Sequence, residues 1–252
     1  MHRVPATWRY FLVVCLRHRM AAVVGGIGAA VLVTAIAGTF LTPGTEQRSY
    51  FDAAYLGIEL MAVLVPVMAS AVLHVLEFEQ RASWLILVRP VTRAGYGWGR
   101  FAGLTTVSWL GTLGLWLAVA ALAAAGRALP EPWLVPVLVS SLLVAPVASA
   151  VCCLVSFLST SYVTGAVVSF GLVILGWMSP ALPLLAAKAP NAVLAWVLTG
   201  IYWVLPHLGD FSVRDMTAVP EAWYLWLLGI YAVAYSVVAG FAANAVLARR
   251  EV

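Results

Sequence analysis

Six stretches of mainly apolar residues constrain this chain more than any other feature. A helix that crosses a bilayer needs about 20 mainly apolar residues. The sequence supplies them at about 20–41, 54–75, 101–125, 133–158, 162–181 and 222–247. A helix that is apolar all round has no face to give to water, so these segments belong in lipid. Composition agrees: the 252 residues are 63% hydrophobic and 10% charged, against about 45–50% and about 25% in a soluble domain. The expected fold class is all-α integral membrane, with six transmembrane helices in a single domain, 1–252.

Ahead of the first span, residues 3–19 read as an interfacial amphipathic helix. Trp8, Phe11, Leu12, Cys15 and Leu16 share one helical face, and Arg9 and Arg17 lie elsewhere. A plain extension of the first span is the other reading. No cleavable signal peptide is expected, because Arg3, Arg9, Arg17 and Arg19 precede an apolar run long enough to span.

Orientation follows from the distribution of Lys and Arg. With six spans the termini share one side, which takes Arg3, Arg9, Arg17, Arg19, Arg81, Arg89, Arg93, Arg100, Arg249 and Arg250. Arg48, Arg127, Lys188 and Arg214 fall on the other. Ten against four predicts cytoplasmic termini for a multi-pass protein of the cell inner (cytoplasmic) membrane. The net charge of +4 therefore reflects topology, and no nucleic acid is expected as a partner. The segment 182–221 holds Pro183, Pro190, Pro206 and Pro220 around the short apolar run 191–205. That run is too short to cross, and a crossing would carry Arg249 and Arg250 to the wrong side. It is expected as a re-entrant segment on the outer side.

Between the second and third spans lies a charged island, residues 76–100. Glu77, Glu79, Arg81, Arg89, Arg93 and Arg100 sit there in a chain otherwise poor in charge. Glu77 and Arg81 are spaced i,i+4 in the favourable order. The Arg89–Pro90 step ends a helix, and Thr92 is placed to cap the next one. The product is an elbow at the membrane face. An ordinary positive-inside loop would explain the arginines but neither the two acids nor the stiff turn at Pro90.

Other positions carry less specific signals. Glu59 is the one acid well inside a span, a candidate contact on a translocation pathway or a carboxyl bonded to a neighbouring helix. Pro66 in the same span frees a backbone carbonyl. Gly95, Gly99 and Gly103 recur every four residues and make a smooth stripe for helix packing, within the chain or between subunits. Cys15, Cys152 and Cys153 show no ligand spacing, and they read as buried thiols. No catalytic, cofactor-binding or metal-binding constellation is expected. In particular, no GxxxxGK[ST] loop exists, since the single lysine, Lys188, follows Ala187.

The elbow resembles the cytoplasmic coupling segment of ABC-2 type permeases, especially the NosY-like branch of these membrane subunits. The residues that carry the resemblance are Glu77, Glu79, Leu85 to Leu87, Pro90–Val91–Thr92–Arg93, Tyr96 and Gly99–Arg100. Ala82–Ser83 departs from that family's pattern, and the 205–215 run also resembles the branch. The resemblance implies an ABC-2, type V exporter-like permease fold. It further implies a non-catalytic membrane subunit, an exporter, that works as a dimer with an identical or homologous permease. ATP and Mg would be bound by two copies of a separate P-loop ATPase. Glu77, Glu79, Arg81, Arg89, Pro90 and Arg93 would be the ATPase-coupling residues. An ion- or proton-coupled carrier using Glu59 and a non-transporting assembly or mechanotransmission subunit are the alternatives.

Overall fold

A computed structural model describes residues 4–17, 20–41, 43–76, 92–125, 132–216 and 218–249. Every regular element among them is helical. In chain order these are α1 (Val4–Arg17), α2 (Met20–Leu41), α3 (Glu46–His74), α4 (Arg93–Ala125), α5 (Leu134–Leu158), α6 (Tyr162–Trp177), α7 (Leu182–Ala187), α8 (Ala192–Val204) and α9 (Ala222–Arg249). Short 3-10 turns lie at Ser179–Ala181, Leu208–Phe211 and Val213–Asp215.

Five of these helices are long and apolar enough to cross a membrane, and six if α6 and the segment Ser179–Ala187 form one bent span. The protein is thus built as a multi-pass membrane protein. The bend between the pair is 51°. The span expected at about 162–181 therefore carries a bend near its end. Pro180 and Pro183 cannot donate to the helix ladder and disfavour helix in the residues before them, so the axis changes at Met178.

Helix bounds exceed the apolar windows in two places. α3 starts at Glu46 rather than near 54, and α4 at Arg93 rather than near 101. At 29 residues, α3 is about 43 Å long and outruns a hydrocarbon core of about 30 Å. Hydropathy marks the part that meets lipid, while helix continues wherever backbone bonds continue. At the start of α3 the Glu46 carboxylate accepts the Gly44 N–H at 2.8 Å. Gly44 itself takes φ +89°, a conformation that costs glycine little.

α3 and α5 form the centre: 67% of the most apolar window of each is buried, against 11% for α2. The consecutive spans α3, α4 and α5 alternate in direction along the chain. Tyr50, at the start of α3, donates to the carbonyl of Val119, near the end of α4, at 3.1 Å. Trp116 of α4 donates to Leu134 at the start of α5 at 2.8 Å. α9 packs along α5 and presents Trp223, Trp226, Ile230, Val233 and Phe241 outward. α1 lies on the first half of α4, with Phe11 and Cys15 fully buried. It is a separate helix, and Phe11 and Cys15 of its apolar face are covered by protein.

Within 182–221, α7 and α8 form a helical hairpin, with Asn191 accepting the Leu194 N–H at 2.8 Å as the cap of α8. The chain then returns over the bundle through buried Leu208, Phe211 and Val213. It sits so close that a Cβ at Gly209 would stand 2.6 Å from the Trp177 carbonyl.

Candidate functional site

The chemistry-bearing contacts gather along α4, the helix that begins within the charged stretch of the sequence. Its start is set by Thr92, whose hydroxyl accepts the Gly95 N–H at 3.1 Å and whose carbonyl accepts the Tyr96 N–H at 3.0 Å. This is the capping role the sequence suggests for Thr92. Next to it Arg93 donates to the carbonyls of Ala248 at 2.7 Å and Leu247 at 3.5 Å. A cation on the last carbonyls of α9 satisfies unpaired acceptors and opposes the negative end of the helix dipole.

The glycine stripe receives α1. A Cβ at Gly99 would collide with Thr7, and one at Gly103 would stand 2.7 Å from the Phe11 Cβ. The Thr7 hydroxyl donates to the Gly95 carbonyl at 3.0 Å, and Trp8 donates to Thr106 at 2.9 Å. Of the two open readings of this stripe, the contacts seen are within the chain. On the opposite side of α4, Gly97 makes room for Asn244, and Gly240 of α9 lies under the Trp98 ring.

Two turns into α4, Arg100 is fully buried. It donates to the Ser70 carbonyl of α3 at 3.3 Å and to the Ser156 hydroxyl of α5 at 2.8 Å. Its guanidinium carbon stands 5.0 Å from the centre of the Phe157 ring. His74 joins the same cluster, with Nδ1 3.1 Å from the Ser156 hydroxyl. Charge counting treats Arg100 as one more surface cation, whereas here it pins three helices together. Both bonds leave one terminal nitrogen, Nη2, and arginine suits the place because its guanidinium also lies over the Phe157 ring.

Two turns deeper, α4 meets a consequence of the prolines. Pro66 has no N–H, so the carbonyl four residues earlier, Ala62, loses its helical partner. The Ser108 hydroxyl of α4 donates to that carbonyl at 2.7 Å. In α5 Pro146 leaves Leu142 in the same state, and the Trp109 indole donates to the Leu142 carbonyl at 2.8 Å. In hydrocarbon an unpaired carbonyl has no water to turn to, so these adjacent residues meet a real demand. α4 therefore holds α3 and α5 at two levels, through Arg100 and through Ser108 and Trp109. Sequence reasoning missed Ser108 and Trp109. The signal was available: a proline inside a span implies a donor on a neighbouring helix.

Less than one turn from Ala62 along α3, Glu59 is buried, 4% exposed. Its carboxylate accepts the Ser212 hydroxyl at 2.9 Å and lies 3.4 Å from the Arg214 guanidinium. Both partners come from the segment returning over the bundle, so Glu59 fastens that segment to α3. Nearby His207 stacks on Tyr202 and Tyr231, with ring centres 4.2 and 5.7 Å away, and its backbone N–H donates to the Tyr231 hydroxyl. Partial desolvation pushes the Asp210 carboxyl above its usual range, opposed by His207.

Of the coupling residues expected from the elbow, Arg93 is described; Glu77, Glu79, Arg81, Arg89 and Pro90 lie outside the described residues. Among the described residues, no group of three His, Cys, Asp or Glu side chains is placed to hold a metal ion. No protein-family model matches the chain, and no curated protein matches it.

Proposed function

We propose that this chain is the membrane permease subunit of an ATP-driven transporter of the ABC-2 type, working as an exporter. In this reading its termini and elbow face the cytoplasm, and it pairs with a second permease and two copies of a P-loop ATPase. The observation that carries the reading is the construction of α4. It begins at Arg93 and is bonded to both central helices, at Ser70 and Ser156 through Arg100 and at Ala62 and Leu142 through Ser108 and Trp109. A displacement applied at its start is delivered to α3 and α5 through directed bonds. Both lower attachments sit where proline has already removed a ladder bond, and such places yield most readily within a helix. ATP binding to the partner shifts the equilibrium only by its differential affinity for two states, and the elbow is the surface at which that difference acts.

The test is co-purification and ATPase stimulation with a candidate P-loop ATPase. Glu77→Lys is expected to abolish stimulation while membrane insertion is unchanged. Failure to bind an ATPase in the apo, ATP and ADP states would remove the permease reading.

Glu59 carries a second reading, an ion- or proton-coupled carrier, because a buried carboxylate with a cationic partner can exchange charge during transport. That carrier would work in vesicles with an imposed gradient and no ATPase. Wild-type transport by Glu59→Gln would sink it.

A further inference from the structure

α2 and α4 stand apart over Met61 of α3, and the gap is a cavity of about 470 Å³ whose walls are apolar. It runs from Met20 to Leu32 on α2 and from Val107 to Ala118 on α4. Four glycines, Gly25, Gly28, Gly111 and Gly114, keep it open, and a Cβ at Gly25 or Gly114 would meet nothing within 4 Å.

We propose that this groove binds one acyl chain of an anionic membrane phospholipid. Helices of this kind are bathed in hydrocarbon, and an empty space of that size would forfeit dispersion contacts along its whole lining. Twelve residue steps separate Met20 from Leu32, about 18 Å of helix. That matches one leaflet, half of a hydrocarbon core of about 30 Å. The groove also begins at a charged end. Arg17, the exposed last residue of α1, lies three residues from Met20 and thus within about 10 Å of the groove mouth. A basic side chain this close to a slot one chain deep selects a lipid with a negative headgroup. This inference needs only that the helices lie in a membrane and is independent of the transport reading.

The test uses phosphatidylglycerol with a photoactivatable acyl chain, in phosphatidylcholine vesicles holding the full chain, with adducts located by peptide mass spectrometry. Labelling within 20–32 and 107–118 is expected to exceed that on the exposed face of α6 by roughly fivefold, a measurable preference over bulk lipid. Gly25→Leu and Gly114→Leu fill the groove from positions with open space and are expected to abolish the excess. Arg17→Gln is expected to remove the preference for phosphatidylglycerol over a phosphatidylcholine probe while tail labelling persists. Equal labelling of the groove and α6 in the unaltered protein would overturn the proposal. So would loss of a dimer in the filled variants with labelling unchanged, which would assign the groove to a second copy of the chain.

Discussion

The Ser108 hydroxyl of α4 donates at 2.7 Å to the Ala62 carbonyl of α3, the carbonyl that Pro66 leaves without its helical N–H. One residue on, Trp109 does the same for Leu142 and Pro146 in α5. A single turn of α4 thus repairs both proline breaks at the centre of the bundle, and its position and theirs are fixed together.

Ser108→Ala is expected to destabilise the protein by about 1 kcal/mol, the scale of an interhelical hydrogen bond in a membrane protein. In a Pro66→Ala background the same change is expected to cost little, because the residue 66 N–H reclaims the Ala62 carbonyl. Unfolding in detergent of the four members of this cycle measures the coupling, and additive effects would contradict the pairing.

Arg100→Met removes a buried cation that bonds α3 and α5. A loss of about 1.5–3 kcal/mol is expected, as for hydrogen bonds to charged groups. Arg100→Lys is expected to recover only part of it, since an ammonium lacks the guanidinium's planar contact with the Phe157 ring. The order wild type, Lys, Met in thermal unfolding is the outcome that supports the three-helix pin.

Arg93→Ala is expected to loosen the last turn of α9, at a cost of about 0.3–1 kcal/mol. Amide exchange near Leu247 and Ala248 should rise, and Arg93→Lys should restore part of the protection. Unchanged exchange in Arg93→Ala would show that the contact contributes nothing to holding α9.

Gly99→Leu places a side chain where Thr7 now sits, so α1 must leave the face of α4. Cys15, fully buried in the folded chain, is then expected to react with a maleimide. Protection of Cys15 in this variant would mean that something other than α4 covers it.

The apolar windows, a helix over 4–17, the cap at Thr92 and the place of Glu59 inside a span were legible in the sequence, because each follows from local spacing and residue chemistry. The break at Met178 was less so. Its prolines are visible, but an apolar run looks the same whether its axis is straight or bent by 51°.

The role of Arg100 was hidden for a different reason. A cation near the end of a span has the same sequence signature whether it reaches water or turns inward, and only the places of Ser70, Ser156 and Phe157 decide.

The sequence by itself determined that this chain forms long apolar helices, where charge interrupts them, and that Pro66 and Pro146 must each release a carbonyl, since those are properties of residues and their neighbours along the chain. Only the tertiary structure decided which donors answer those carbonyls, that α1 fills the glycine stripe of α4, and that Glu59 meets Arg214. Such pairings join residues tens of positions apart, and they are fixed by how helices settle against one another in the absence of water.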